Sequence, residues 1–152
     1  MSKVTDRDQG LIEMVRRLGH AADFGASLTV GLIGDEADAE HSDGLTIAEL
    51  GEIHEFGLGV PRRSFIADWS DENEEEHKRQ IVRIAAAVVR GKLETFDEGL
   101  ERLGVLFVAE IQKGISDGIP PPNAESTIAR KGSSTPLIDT GVLRSSITYK
   151  VE

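Results

Sequence analysis

The sequence predicts an α+β fold: a small, mainly antiparallel sheet packed against a long antiparallel helical pair, with extended Pro-rich loops. Three observations carry this. Strand-like alternation occurs at two places far apart in the chain, Ser27 to Ile33 and Arg144 to Val151. Between them stand two long segments with apolar residues at helical spacing and a short connection. A stretch crowded with Pro, Gly and Ser then separates the helices from the last strand. With 152 residues, the chain can bury one real core and not two comfortable ones. A single domain, 1–152, is therefore expected. It divides into an N-terminal helix (1–26), then a strand, short helix and helical pair (27–116). A Pro/Gly/Ser-rich arm (117–137) and a C-terminal strand (138–152) complete it.

Each element has its own local reason. Thr5 can cap a helix with Asp8 three residues on, and Leu11, Val15, Leu18 and Ala22 follow at helical spacing before Phe24-Gly25. In the first strand Leu28, Val30 and Leu32 share one side, with Thr29 and Gly31 on the other. Gly34 to Gly44 holds Asp35, Glu36, Asp38, Glu40 and Asp43 and nothing apolar larger than Ala. It reads as a solvated loop or hairpin tip. Thr46 and Glu49 form a capping-box pattern for a short helix to about Phe56, with Ile47, Leu50 and Ile53 on one face. Gly57 suits a left-handed end, and Gly59 and Pro61 forbid continuation.

Pro61 to Trp69 is expected to be extended or irregular. Ser70 or Asp71 is the expected cap of the first long helix, whose acidic first turn suits the positive end of the helix dipole. Ile81, Ile84, Ala85, Val88 and Val89 make its stripe, and Gly91 breaks it. Thr95 to Glu98 repeats the capping pattern. Leu100, Leu103, Phe107, Ile111 and Ile115 then form the second stripe. From Asp117 to Pro136 a long loop is expected, with a helical turn at Ala124 to Ala129. Loops of that length in compact domains are usually functional or mobile.

Composition excludes several functions. There is no cysteine, so disulfides and thiolate metal sites are out. The formal net charge of −10 disfavours a general nucleic-acid binder, because phosphates reward Lys and Arg. It leaves room for a protein that surrounds DNA without gripping it. The longest apolar run, Ile84 to Val89, is far short of the roughly 20 residues that span a bilayer. The polar start lacks a signal-peptide apolar block, so a cytoplasmic location, or a particle assembled there, is expected.

The candidates for chemistry are few. His54-Glu55 could be a metal or acid–base pair, but adjacent helical residues point about 100° apart. No second His stands at the spacing of a zinc helix. His41 and Asp43 sit in an acidic loop that lacks the ligand spacing, central Gly and closing Glu of a calcium-binding hand. A metal-dependent hydrolase using His41, Asp43, His54 and Glu55 is thus a minor alternative. Asp139-Thr140-Gly141 invites comparison with aspartic proteases, which need two such aspartates sharing a proton. Here it reads as a turn, capped by Asp139 or Thr140, with Gly141 supplying backbone freedom. No nucleotide loop or nucleophile elbow is present. No catalytic, cofactor-binding or metal-binding residue is assigned, and no cofactor is expected. Arg62 and Arg63, beside Pro61, either salt-bridge an acidic neighbour subunit or form a solvated pair.

Two blocks remain: Ile53-His54-Glu55-Phe56-Gly57 with Val60-Pro61-Arg62-Arg63-Ser64-Phe65-Ile66, and Pro136-Leu137-Ile138-Asp139-Thr140-Gly141-Val142-Leu143-Arg144-Ser145-Ser146-Ile147. Together and in this order, the chain from about Leu28 to Val151 resembles the tail-component family of tailed bacteriophages, the neck, tail-completion or virion-morphogenesis proteins. Ser64 departs from that pattern, where a second Pro is more usual. The acidic stretch Asp35 to Asp43 departs too, as an insertion would.

The resemblance implies a virion structural protein without enzymatic activity. It implies assembly in the host cytoplasm as a ring, often six-fold, at the head–tail junction around the DNA channel. Its partners would be its own copies, connector or head-closure proteins and tail-tube proteins. DNA would pass without specific binding, and no membrane would be involved. A head-closure or tail-tube-associated role is the nearest alternative. The expected interface residues are Arg62, Arg63, Phe65, Ile66, Trp69, Pro120, Pro121, Pro122, Leu137 and Asp139. Phe65, Ile66 and Trp69 serve as apolar anchors, because aromatics beside Arg are enriched at interface centres. The proline arm would dock with little entropy loss. An acidic DNA mimic is a further alternative, although only one short carboxylate run is present.

Overall fold

The computed structural model describes residues 26–40, 44–132 and 134–152. The expected helix over Thr5 to Ala22, and the loop residues His41 and Asp43, lie outside them. In chain order the elements are β1 (Leu28–Leu32), α1 (Ile47–Phe56), α2 (Ala67–Val89), α3 (Phe96–Asp117), α4 (Glu125–Lys131), α5 (Val142–Ser145) and β2 (Ile147–Val151). The α+β class is as the sequence predicts: a two-stranded antiparallel sheet with two long helices packed against it.

β1 and β2 pair from Leu28 opposite Val151 to Leu32 opposite Ile147. Ser27 and Glu152 close the ladder with two backbone bonds, at 2.7 and 3.0 Å. No further strand joins this sheet among the described residues. Arg144 and Ser145, expected to begin the last strand, belong instead to the short α5. Gly141, at φ 85°, turns the chain into it, and the Thr140 hydroxyl accepts a long bond from the Val142 amide at 3.4 Å.

α3 is the central pillar. Leu100, Leu103, Phe107, Ile111 and Ile115 are buried along one stripe, as their spacing predicts. The stripe faces both strands and α2. At Gly104 the Tyr149 ring crosses so close that an added Cβ would lie 2.2 Å from it. Thr95 Oγ1 caps α3 by accepting from the Glu98 amide at 3.1 Å. The Glu98 carboxylate reaches the Glu94 amide rather than that of Thr95, so the capping box is only half formed.

α2 lies outermost, antiparallel to α3: Trp69 and His77 meet Phe107, and Ile84 covers Gly99. Its residues bury little, with Val88 the one fully enclosed side chain among them. The main core sits where α1, α3, α5 and β2 converge, on Ile47, Phe65, Ile111, Ile115, Leu137, Leu143 and Ile147. Burying each such side chain contributes about 1.5–3 kcal/mol.

Candidate functional site: a groove between the two motif blocks

α1 places the first block. Its N-terminus carries the full capping box, with Thr46 Oγ1 accepting from the Glu49 amide and the Glu49 carboxylate accepting from the Thr46 amide. Its C-terminus ends on Gly57 at φ 72°, whose amide returns to the Ile53 carbonyl. A Cβ there would also press within 3.0 Å of the Arg62 backbone, so both conformation and space require glycine.

The chain then turns back, and the Arg63 amide donates to the His54 carbonyl at 2.8 Å. This return brings Ser64 to Ala67 onto Glu55. The Glu55 carboxylate, in a residue only 8% exposed, accepts four bonds. They come from Ser64 Oγ (2.5 Å) and from the amides of Phe65 (2.9 Å), Ile66 (3.2 Å) and Ala67 (2.8 Å). Ser64 Oγ in turn accepts from the Asp68 amide at 3.0 Å.

α2 therefore starts at Ala67, earlier than the expected Ser70 or Asp71, and its cap residue Ile66 makes no side-chain bond. The orphan amides of the first turn are satisfied from α1, by a buried carboxylate that also favours the helix dipole. Glu55 is thus a structural cap. His54 lines the groove described below. Among the described residues no three His, Cys, Asp or Glu side chains converge as metal ligands would.

The expected interface residues separate into groups. Arg62 makes a forked pair with Asp68, at 2.6 and 3.1 Å, with both side chains half-exposed. Arg63 is buried and donates from Nε to the Pro121 carbonyl (2.8 Å) and from Nη2 to the Pro122 carbonyl (3.2 Å). Arg62 stays half in solvent while Arg63 does not, and the Arg63 bonds pin the proline arm to the body. Phe65 and Leu137, expected at an interface, are core residues at 3% and 6% exposure. Ile66 and Trp69 are half-buried against the same core, and Trp69 stacks in a cluster with His77 and Phe107. Phe65 as an apolar anchor and Leu137 as an interface residue are corrected, since both lie in the core; closure of the 57–66 turn over Glu55 draws Phe65 inward, while Ile66 and Trp69 keep part of their surface exposed. Pro120, Pro121, Pro122 and Asp139 are exposed.

What the fold builds instead is a groove of about 860 Å³ between the two blocks. Ile53, His54, Pro61 and Arg63 come from the first, and Leu137, Asp139 and Val142 from the second. Pro121 and Pro122 of the arm close one side. Leu137 enters it in a left-handed backbone conformation, φ 63°, which costs a branched residue about 1–2 kcal/mol. Its burial in the core holds it there.

The groove's lip carries apolar side chains that sequence reasoning passed over: Leu58 is 55% exposed and Val142 39%. Phe56, next to Gly57 and Leu58, is 63% exposed. The available signal was a Leu held between two turn glycines, where no element could bury it.

No family profile matches the chain, and neither a curated protein nor a solved structure is similar to it. No helix among the described residues is long and apolar enough to cross a membrane.

Proposed function

We propose that this chain is a structural subunit of a tailed-phage particle, of the neck or tail-completion type. In this reading it assembles as a ring around the DNA channel at the head–tail junction. The observation that carries it is the groove: the two blocks that resemble phage tail components, distant in sequence, line one apolar cleft with an uncovered lip. Apolar groups concentrated at one exposed cleft mark a docking surface more than a solvated one. The Glu55 cap, the Gly57 turn and the Arg63 clamp all serve to hold this cleft open and in shape.

The remaining surface suits the same role. Glu72, Glu74 and Glu75 are exposed along the first half of α2, and the whole chain is acidic. A lumen lined by carboxylates repels phosphates and lets DNA pass without binding. The neighbours would be copies of this chain together with head-closure and tail-tube proteins.

Electron microscopy of a lysate from phage lacking the gene tests the reading. DNA-filled heads beside unattached tails are expected, and overlong tails would specify a terminator. Normal, infectious particles would overturn it.

A further inference from the structure

Arg63 is the unusual group in the groove. Its residue is 6% exposed, yet its two bonds go to neutral carbonyls of Pro121 and Pro122. Among the described residues, no carboxylate forms an ion pair with it; the neighbouring Asp68 is engaged by Arg62. Among the described residues Nη1 donates to no group, it is not an enclosed atom, and the Arg63 side chain lines the groove. A guanidinium carries five donors, and a buried cation without an anion is costly. The carbonyls offset part of that cost, and an anion arriving at Nη1 would offset more.

We propose that the groove receives an extended peptide segment of a neighbouring subunit, bearing an Asp or Glu side chain between aliphatic ones. The carboxylate takes Nη1 and the remaining Nη2 proton of Arg63, in the fork that a guanidinium offers a carboxylate. The aliphatic side chains fill the space between Leu58, Val60, Leu137 and Val142, all of which line the groove. A purely apolar occupant would desolvate Nη1 with no partner, which disfavours it. A nucleic-acid strand is disfavoured because its sugar–phosphate chain has no aliphatic groups to fill the space between Leu58, Val60, Leu137 and Val142. The proposal rests on reading the groove as a docking surface and adds the chemistry of what docks.

The test is an array of hexapeptides with a central Asp or Glu flanked by Leu, Ile, Val or Phe, beside matched peptides carrying Asn or Gln. Both are probed with the labelled full-length chain. Acidic peptides should be retained about tenfold or more over their amides, the margin of a charge-assisted fork over a neutral pair. Arg63→Gln should erase that preference. Leu58→Asp, at an exposed position that cannot unfold the core, should lower retention of every peptide. Equal retention of acidic and amide peptides, a preference that survives Arg63→Gln, or no retention at all would overturn the proposal. Retention is read on the isolated chain, so its failure leaves the particle role to microscopy, and normal particles without the chain would not alter retention.

Discussion

Arg63 Nε donates to the Pro121 carbonyl at 2.8 Å, joining the turn after α1 to the proline arm that follows α3. With the second bond to Pro122, at 3.2 Å, one side chain fixes both walls of the groove.

If that clamp sets the arm, Arg63→Gln releases it. Limited proteolysis should then cut within residues 118–136 several-fold faster than in the wild type, while circular dichroism stays close to unchanged. The expectation follows from loss of the forked donor set that holds two carbonyls at once. Equal cutting rates would show that the arm is held by other contacts.

Glu55 is the second fixed point. Glu55→Ala leaves the Ser64 hydroxyl and three amides without their acceptor, a loss of about 2–4 kcal/mol in folding stability by the worth of bonds to a charged group. Urea denaturation measures it. Ser64→Ala, which removes one donor to Glu55 and one acceptor for Asp68, should cost less, about 1 kcal/mol.

Two glycines of α3 predict opposite signs. Gly104 faces the Tyr149 ring, where a Cβ would sit 2.2 Å away, while nothing lies within 4 Å of one built at Gly114. Gly104→Ala should destabilise by about 1–3 kcal/mol through overpacking. Gly114→Ala should stabilise by about 0.5–1 kcal/mol through helix propensity. Paired denaturation curves decide whether the α3–β2 contact is as close as described.

His77 makes stability depend on pH. Its ring lies 4.7 Å from Trp69 and 4.4 Å from Phe107, centroid to centroid, and burial holds its pKa below the ordinary value against the pull of Glu110 and Glu76. The unfolded chain therefore takes up this proton first as pH falls. The His77 contribution is complete above about 6.5, the unfolded value, and declines from there down through the folded pKa. The melting temperature of the wild type should drop more between about pH 8 and about pH 5 than that of His77→Phe, which keeps the aromatic cluster and removes the proton.

Much of this fold was legible in the sequence, for reasons that are local. Apolar spacing marks α3 because Leu100 through Ile115 fall on one face, and Thr46 with Glu49 marks the start of α1. The start of α2 was not legible. Its cap is Glu55, which belongs to another helix and reaches Ala67 only because Gly57 turns the chain back. The same closure hid the fates of Phe65 and Leu137: both were expected at an interface, Phe65 as an anchor, and both are core residues. The two blocks could be singled out from the sequence, but the groove between them could not, since it exists only after the arm is pinned by Arg63.

Whether the groove's apolar lip joins this chain to its neighbours in the particle is decided by complementing phage that lack the gene with a chain carrying Leu58→Asp and Val142→Asp. Both side chains are exposed, at 55% and 39%, so the variant should melt with the wild type. Wild-type protein should restore infectious particles and the variant should not, leaving DNA-filled heads separate from tails in electron micrographs. A folded variant that restores the wild-type titre would contradict it.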